Sequence, residues 1–323
     1  MDTLKELKTI YELQEIKDDI IETEVLSHVE YKGKKFPLIS FSIGSKDPKA
    51  PTLGLFGGVH GLERIGTHVV LSYLSSIMTQ LKWDEELRES FKNYRLVSIP
   101  LINPAGMAYF KRANPRGVDL MRNAPTKANI ENAMPLLSGQ SYSKKIPWFR
   151  GDPNEMEIES RSVVEFVERK LFQSQMSLSV DFHSGFGLKD RLWYPYGYTK
   201  SASIRQPEID KLTNLFNETI PHHVYKIEPQ CASYAIQGDL WDYLLDEHIS
   251  RGQGVYLPWT LEMGSWSWVK KNPLQIFSAE GLFNPIKDHR YQRTMRRHFL
   301  LIDFLSKAVR NHKNWIGHES ATI

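Results

Sequence analysis

Three side chains of types that bind zinc stand where the fold could bring them together. His60 and Glu63 are three residues apart where a loop runs into a helical pattern, and one helical turn places such a pair on the same face. His183 ends the apolar run Met176–Phe182, which is typical of a buried strand. Two histidines and one carboxylate, with a fourth position left to water, form the ligand set of catalytic rather than structural zinc. The sequence therefore predicts a site for one zinc ion per chain.

Other nearby residues could orient these ligands, and one further histidine could be mistaken for a ligand. A ligating histidine usually donates its second ring N–H to a carboxylate, and Asp119 and Asp181 are the candidates for that role. His68 follows closely after the predicted ligands, but an isolated histidine usually packs or faces solvent. We predict that His68 packs and does not bind the metal.

Glu262 lies between apolar neighbours at the end of a second strand-like run, Gly254–Glu262. A carboxylate in such a place costs free energy unless it has a task or a partner. Beside a zinc site it could take a proton from water and later return it to the leaving group. It could equally form an ion pair with an arginine at the rim of the core. The residues alone leave these two interpretations open.

A segment rich in arginine separates the two parts of this predicted site. It runs from Asn103 to Asn123 and contains Arg112, Arg116 and Arg122. Guanidinium groups bind carboxylates through two parallel hydrogen bonds and can stabilise a developing oxyanion. Arginines in loops are mostly solvated, so we expect one of the three to have no role in the site.

The elements that must position these residues alternate in type from Thr52 onward. Strand patterns followed by helical patterns predict a layered α/β fold with a mostly parallel central sheet. His60, His183 and Glu262 fall at the ends of predicted strands. Ligands of open α/β sheets bind beyond the carboxyl ends of the strands, so this placement supports a functional site.

The predicted boundaries follow from periodicity and from turn residues. Strands are predicted over 52–57, 94–100, 176–182 and 254–262, after a hairpin over 22–43, and helices over 1–21, 155–172, 205–219, 238–249 and 288–311, with one more following Glu63. We predict a long loop over 101–150 and a frayed tail over 312–323. No repeat or linker is evident, so we predict one catalytic domain over 1–323, with residues 1–45 packed on it as a helix and a hairpin.

Composition excludes several classes of protein. The net charge of the 323 residues is +3, with acidic and basic groups mixed, so no nucleic-acid surface is expected. There is no apolar run long enough for a membrane span and no apolar N-terminal stretch of the secretory kind. The single cysteine, Cys231, excludes an internal disulfide. We expect a cytoplasmic protein that binds neither nucleic acid nor membranes, and nothing indicates its oligomeric state.

The ordered set of motifs resembles the zinc metallocarboxypeptidases, the M14 family, which are among the enzymes known for this ligand set. The set comprises His60-Gly-Leu-Glu63, Asn103-Pro-Ala-Gly106, Gly117-Val-Asp-Leu-Met-Arg-Asn123, His183-Ser184 and Glu262. Each motif is short, and the order and the gaps make the resemblance specific over residues 52–263. It implies a three-layer α/β/α sandwich with a mixed, mostly parallel central sheet of about eight strands.

The resemblance also implies a role for individual residues. His60, Glu63 and His183 would bind zinc, Glu262 would be the general base and acid, and Asp119 would accept a hydrogen bond from His60. Arg112 would polarise the scissile carbonyl, Arg122 with Asn123 would bind the substrate's C-terminal carboxylate, Tyr234 would cap the substrate, and Trp241 would lie near the position that sets side-chain preference. For Tyr234, a plain core or surface tyrosine is an equal alternative.

Two positions depart from the family pattern. The family commonly has asparagine immediately before the carboxylate-binding arginine, and Met121 stands there in this chain. Leu62 lies between the first two predicted ligands, where digestive members carry arginine. Both departures concern the recognition of a C-terminal carboxylate, and neither touches the predicted ligands or Glu262.

These observations predict a zinc-dependent hydrolase that cleaves an amide bond next to a free carboxylate. The substrate would be a peptide or an acylated amino acid. Alternatives are an N-acyl amino acid deacylase of the aspartoacylase or succinylglutamate desuccinylase type and a murein-peptide amidase. An alternative of another class is a zinc- or peptide-binding protein on the same scaffold without catalysis.

Overall fold

A mixed sheet of eight strands runs through the part of the chain that the computed structural model describes, residues 4–126, 138–152, 154–185 and 187–317. The strands are β1 (Ile21–Tyr31), β2 (Lys34–Gly44), β3 (Thr52–Gly57), β4 (Arg95–Ile99), β5 (Met176–Ser184), β6 (Arg191–Tyr194), β7 (Lys226–Pro229) and β8 (Val255–Met263). Their order in the sheet is β1-β2-β4-β3-β5-β8-β6-β7. The pairs β4–β3, β3–β5, β5–β8 and β6–β7 are parallel, and β1–β2, β2–β4 and β8–β6 are antiparallel. The predicted α/β fold with a mixed sheet is confirmed.

Helices cover both faces of this sheet. They are α1 (Lys5–Gln14), α2 (Arg64–Gln80), α3 (Glu85–Ser90), α4 (Pro104–Ala108), α5 (Ile158–Leu171), α6 (Gln206–Thr219), α7 (Leu240–Arg251), α8 (Trp266–Lys271), α9 (Ala279–Phe283), α10 (Asp288–Arg310) and α11 (Lys313–Ile316). Short 3-10 turns occupy Leu120–Arg122, Gln230–Ala232 and Pro273–Phe277. None of the helices in the described ranges combines the length and the apolar character needed to cross a membrane.

Two hydrophobic cores lie on opposite faces of the sheet. The first contains apolar side chains of α1, α2, α6 and α10, and the second contains those of α5 and α7. Alternate residues of a strand point to opposite faces. In β5, the side chains of Met176, Leu178, Val180 and Phe182 belong to the first core, so Asp181 and His183 point to the second face, where α7 packs.

The N-terminal segment differs from its prediction. The predicted helix over 1–21 is α1 only, which ends at Gln14, and residues 1–3 lie outside the described part of the chain. Residues from Ile21 onward pair with β2, beginning opposite Ile43. Residues 15–20 form a connection that belongs to no helix or strand, so the helical periodicity of the sequence extends further than the helix itself.

Other differences concern short elements. The predicted loop over 101–150 contains α4 and the turn Leu120–Arg122, while residues 127–137 lie outside the described ranges. The predicted tail begins with α11, which Trp315 ties to the preceding helix by a hydrogen bond to the carbonyl of Ala308; residues 318–323 are not described. Strands β6 and β7 were not predicted, because four residues are too few to show a period.

Candidate metal centre

The turn between β3 and α2 brings His60 and Glu63 to the centre of the sheet. Gly58 has a φ of +66°, a conformation that L side chains rarely adopt. A Cβ atom at Gly66 would lie 2.1 Å from the carbonyl oxygen of Phe182. Glycine at this position therefore lets the start of α2 pack directly against β5, next to His183.

Strand register places the other two residues side by side. β5 and β8 are parallel neighbours, and His183 is paired with Glu262 at their carboxyl ends. Paired residues of adjacent strands project to the same face, so both side chains enter the space above the β3–α2 turn. This location matches the expectation that the site lies beyond the carboxyl ends of the strands.

Three ligand groups converge in this space. Glu63 Oε1 lies 2.8 Å from His60 Nδ1, and Glu63 Oε2 lies 3.0 Å from His183 Nδ1. The two Nδ1 atoms are 3.2 Å apart. All three side chains are at least 96% buried, and within the described residues they form a cluster whose ligand atoms lie within 4.8 Å of one another. The backbone N–H of Ser184 also donates to Glu63 Oε2, at 3.0 Å.

The second nitrogen of each ring faces a carboxylate. His60 Nε2 lies 2.9 Å from Asp119 Oδ1, and His183 Nε2 lies 2.6 Å from Asp181 Oδ2. A neutral imidazole that donates from Nε2 presents a lone pair at Nδ1. Two lone pairs and a carboxylate then converge without a proton between them, which is unfavourable unless a cation lies there. The residues present fit a zinc ion.

The ionisation of these groups supports the same conclusion. Burial alone would raise the pKa of Glu63, but His60 and His183 hold it well below its usual value. Burial alone would lower the pKa of His183, yet Asp181 and Glu63 hold it well above its usual value. The surroundings of the His183 imidazole thus favour a positive charge, which a proton or a metal ion can supply.

Arg112 and Arg122 both bind Asp119 beside the ligands. Arg112 Nε and Arg122 Nη1 donate to Asp119 Oδ2 at 3.2 and 3.0 Å. Burial would raise the pKa of Asp119, but these two guanidinium groups and His60 keep it well below its usual value. Arg112 Nη1 also donates to Glu63 Oε1 at 2.9 Å. Arg122 is 2% exposed, and its Nε has no hydrogen-bond partner in the structure.

A cavity of about 540 Å³ opens directly onto these groups. Its lining includes the three ligand residues, Arg112, Arg122, Tyr234 and Glu262. Its remaining wall is largely apolar and includes Met121, Trp148, Trp193, Ile236, Trp266 and Phe283. The volume lies within the usual range of small-ligand sites.

Tyr234 is partly exposed and faces this cavity. Its ring makes an edge-to-face contact with Trp193, with 5.7 Å between the ring centroids. Burial, opposed by Arg122, raises the pKa of Tyr234 to about 12. The phenol is therefore protonated at neutral pH and can donate a hydrogen bond to a bound molecule.

Two predicted substrate contacts are corrected by their positions. Asn123 donates to the carbonyl of Arg150 and accepts from the N–H of Glu157, so its amide is occupied by backbone groups. Trp241 is 2% exposed, packs on Phe56 in the second core and donates to Asp181 Oδ2 at 2.9 Å. Neither residue lines the cavity.

Arg116 and His68 lie away from the cavity. Arg116 pairs with Glu157 on the surface, with a side chain that is 70% exposed, and is the arginine without a place in the site. His68 binds Glu6 at 2.9 Å and is not part of the ligand cluster.

Most of the apolar residues in the cavity wall were not predicted from the sequence. Trp193 lies on the short strand β6, Ile236 follows a 3-10 turn, and Trp266 and Phe283 belong to α8 and α9. Only Met121 carried a signal, because it is adjacent to Arg122 in the quoted motif. The others are brought to the site by tertiary structure and share no spacing with the ligands.

Comparisons with known proteins agree with this arrangement. The zinc carboxypeptidase family profile matches residues 8–267. Metallocarboxypeptidase A of Trichophyton rubrum is 24% identical over 236 residues, which are 67% of this chain and 53% of that protein. Carboxypeptidase A1 of Rattus norvegicus is 24% identical over 196 residues, 56% of this chain and 43% of that protein. The chain thus spans about half the length of the curated relatives it matches.

Solved structures show the same fold. Bovine thrombin-activatable fibrinolysis inhibitor, solved with tick carboxypeptidase inhibitor, superposes with a TM-score of 0.69 at 18% identity and covers 96% of this chain and 98% of that one. Carboxypeptidase A of Helicoverpa armigera gives a TM-score of 0.67 at 15% identity over 94% of this chain and 71% of that one. The family profile covers most of the sequence, and its match includes all three ligand residues and Glu262. The chain belongs to the zinc carboxypeptidase family.

Proposed function

We propose that this protein is a zinc-dependent carboxypeptidase that hydrolyses the amide bond next to the free carboxylate of a peptide, with one zinc ion per chain. One observation carries the proposal: the ligand cluster, Glu262 and a buried arginine with an unpartnered N–H face a single cavity. His60, Glu63 and His183 would hold the zinc. When bound, zinc supplies a Lewis acid that polarises a carbonyl and lowers the pKa of water.

Glu262 is the proton carrier in this proposal. It lies on the cavity wall, paired with the ligand His183 across the sheet, and is 7% exposed. A carboxylate there takes a proton from the attacking water and delivers it to the amine that leaves. The ion-pair alternative would pair Glu262 with Arg191, its register partner on β6, and the turnover of Glu262→Gln distinguishes the two roles.

Arg122 and Arg112 bind different parts of the substrate in this proposal. Arg122 offers buried guanidinium donors to the terminal carboxylate, a pairing that is strong because both groups are charged. Arg112, which hydrogen bonds to the ligand Glu63, lies where it can stabilise negative charge on the scissile carbonyl oxygen. Tyr234, which also lines the cavity, donates a hydrogen bond from its phenol O–H to the bound substrate.

The apolar wall supports a preference for an apolar C-terminal side chain. The charged lining groups all have a place in the proposed reaction, and the rest of the described lining provides no further carboxylate for a basic side chain. Burying an unpaired charge against Met121, Trp193 and Ile236 would cost several kcal/mol. We expect blocked dipeptides ending in phenylalanine or leucine to be cleaved with at least about 100-fold higher kcat/KM than those ending in lysine or aspartate.

The test of the mechanism is Glu262→Gln, which removes the proton acceptor and conserves the shape of the side chain. We expect one zinc per chain by elemental analysis and a kcat lowered by about 10³-fold. Glu280→Gln, at an exposed glutamate of α9, is the matched control and should retain normal turnover. Normal turnover by Glu262→Gln would exclude Glu262 as the base.

Substrate profiling separates this proposal from its rivals. Cleavage of N-acyl amino acids but not of blocked dipeptides would indicate the deacylase alternative, and selective cleavage of murein peptides would indicate the amidase. Protein that purifies without zinc and binds none on addition would favour the non-catalytic alternative.

A further inference from the structure

The side chain of Asn284 holds the turn that carries Glu63. Asn284 is 6% exposed and directly follows α9, more than two hundred residues after this turn. Its Oδ1 accepts a hydrogen bond from the N–H of Ile65 at 2.9 Å, and its Nδ2 donates to the carbonyl of Leu62 at 2.8 Å. A single amide group therefore bonds to the backbone on both sides of Glu63.

This contact meets a local need of the turn. The first N–H groups of a helix have no partner within the helix, and a buried N–H without a partner costs free energy. Glu63 precedes the first residue of α2, but its side chain makes no capping hydrogen bond and is directed to the imidazoles instead. Asn284 supplies the cap from another part of the chain, so the carboxylate of Glu63 is left for the metal.

Asn284 is itself firmly held. Its Nδ2 also donates to the carbonyl of Glu280 at 2.9 Å. Gln275 Nε2 donates to the carbonyls of Gly281 and Asn284 at 3.0 and 3.3 Å. The Oε1 of Gln275 accepts from Arg290 Nη1 at 3.4 Å. The amide of Asn284 thus has its oxygen on a donor and its nitrogen on two acceptors, an arrangement that fixes its orientation.

We propose that Asn284 is a positioning residue for Glu63, and that it sets the affinity and the geometry of the metal site without touching the metal. The proposal rests on the zinc site of the proposed function. Groups that orient a metal ligand typically account for 10- to 100-fold of metal affinity. Because Asn284 restrains the backbone next to Glu63, its loss should let the carboxylate move away from the two Nδ1 atoms.

The experiment compares Asn284→Leu with wild type, using the full chain. Leucine has the same branched arrangement of heavy atoms and removes every side-chain hydrogen bond. We expect the zinc dissociation constant, measured by competition with a chromophoric chelator, to rise by about 10- to 100-fold. We also expect altered visible absorption bands in the cobalt-substituted protein, because these bands report ligand geometry. Asn284→Asp, which keeps an acceptor for Ile65 N–H but cannot donate to Leu62, is the second variant if the leucine variant does not fold.

Ser278→Ala is the matched control for general destabilisation. The Ser278 hydroxyl accepts from the N–H of Gly281 at 3.2 Å and caps α9 in the same segment, without contacting the Glu63 turn. It should lower thermal stability but leave zinc affinity and the cobalt spectrum unchanged. Wild-type zinc affinity and an unchanged cobalt spectrum in both Asn284 variants would overturn the positioning role alone. Wild-type protein that binds no zinc would overturn the proposed function and this inference together.

Discussion

The imidazole rings of the candidate metal centre are oriented by two carboxylates that are not among its proposed ligands. His183 donates to Asp181, which also accepts from the indole of Trp241, and His60 donates to Asp119. Each histidine therefore presents Nδ1 rather than Nε2 to the ligand space. A core residue such as Trp241 then serves the site indirectly, by fixing the carboxylate that fixes the ring.

Removing one of these carboxylates should weaken the site. In Asp181→Asn the side chain keeps its size but loses its charge, so it no longer favours the Nε2–H tautomer of His183 so strongly. We expect the zinc dissociation constant to rise by about 10- to 100-fold in competition with a chelator. Asp210→Asn, on the exposed face of α6, should bind zinc as wild type does. Equal affinity in both variants would show that Asp181 does not support the ligand.

Met121 directly precedes Arg122, at the position where the family commonly has asparagine. It is 5% exposed on the cavity wall and has no group that can donate to a carboxylate beside Arg122. Met121→Asn adds such a donor, and a hydrogen bond to a charged group contributes about 1.5 kcal/mol or more. We expect KM for a blocked dipeptide to fall by about 10-fold at similar kcat. Met121→Leu should leave KM unchanged, and an unchanged KM in Met121→Asn would place the terminal carboxylate elsewhere.

The convergence of His60, Glu63 and His183 was predictable because the signal in the sequence is local. His60 and Glu63 share one turn, and His183 and Glu262 end apolar runs that any parallel strand would show. The substrate wall was not predictable in this way. Trp193, Trp266 and Phe283 come from three separate elements. The roles of Asn123 and Trp241 were carried over from the family resemblance, and neither residue lines the cavity.

At the scale of elements, α5 contains a carboxylate whose ionisation opposes folding. Glu159 is 1% exposed, and Asn114 Nδ2 contacts it at 3.3 Å from the arginine-rich loop. Burial raises the pKa of Glu159 from its ordinary value of 4.5 to about 7. The unfolded chain releases this proton near pH 4.5 whereas the folded protein keeps it until about pH 7. Stability should therefore decline as pH rises between these values.

Glu159→Gln should remove this pH-dependent loss. The amide oxygen can still accept from Asn114, and no charge is buried at high pH. We expect the free energy of unfolding at pH 8 to rise by roughly 3 kcal/mol relative to wild type, with little change at pH 4, in urea titrations. Glu165→Gln, on the exposed face of the same helix, should not change the pH profile. A gain that is the same at both pH values would contradict the assigned cause.

Predicted boundaries agree with the structure where an element buries a regular stripe of apolar residues. They differ where the boundary depends on pairing with a distant strand. The hairpin was predicted because Lys32 and Gly33 interrupt two alternating runs, and in the structure these two residues form a tight turn with φ of +50° and +71°. The helix predicted over 1–21 ends at Gln14, residues 15–20 form a connection outside any helix or strand, and the edge strand β1 begins at Ile21. The start of β1 depends on its partner β2, which no local pattern of residues 15–21 reports.

At the scale of the whole molecule, the sheet and its two cores place all of the proposed ligands near the carboxyl ends of interior strands. The fold class followed from the alternation of strands and helices, but the order β5-β8-β6 did not, because it joins strands that are far apart in sequence. That order brings His183, Glu262 and Arg191 into adjacent registers. The expectation of a site at these strand ends came from the general rule for open α/β sheets, and the family resemblance added the roles of the individual residues.

Because the proposed ligands come from the β3–α2 turn and from the neighbouring strand β5, a zinc ion held between them should stabilise the folded chain. An ion that binds only the folded state adds about 3 kcal/mol at a free concentration 100 times its dissociation constant. We expect the urea midpoint to fall when a chelator removes zinc and to recover when zinc is restored. His183→Ala should abolish this response, whereas His68→Ala, at a histidine bound to Glu6 outside the cluster, should retain it. A zinc response that survives His183→Ala would mean that the stabilising ion lies at another site.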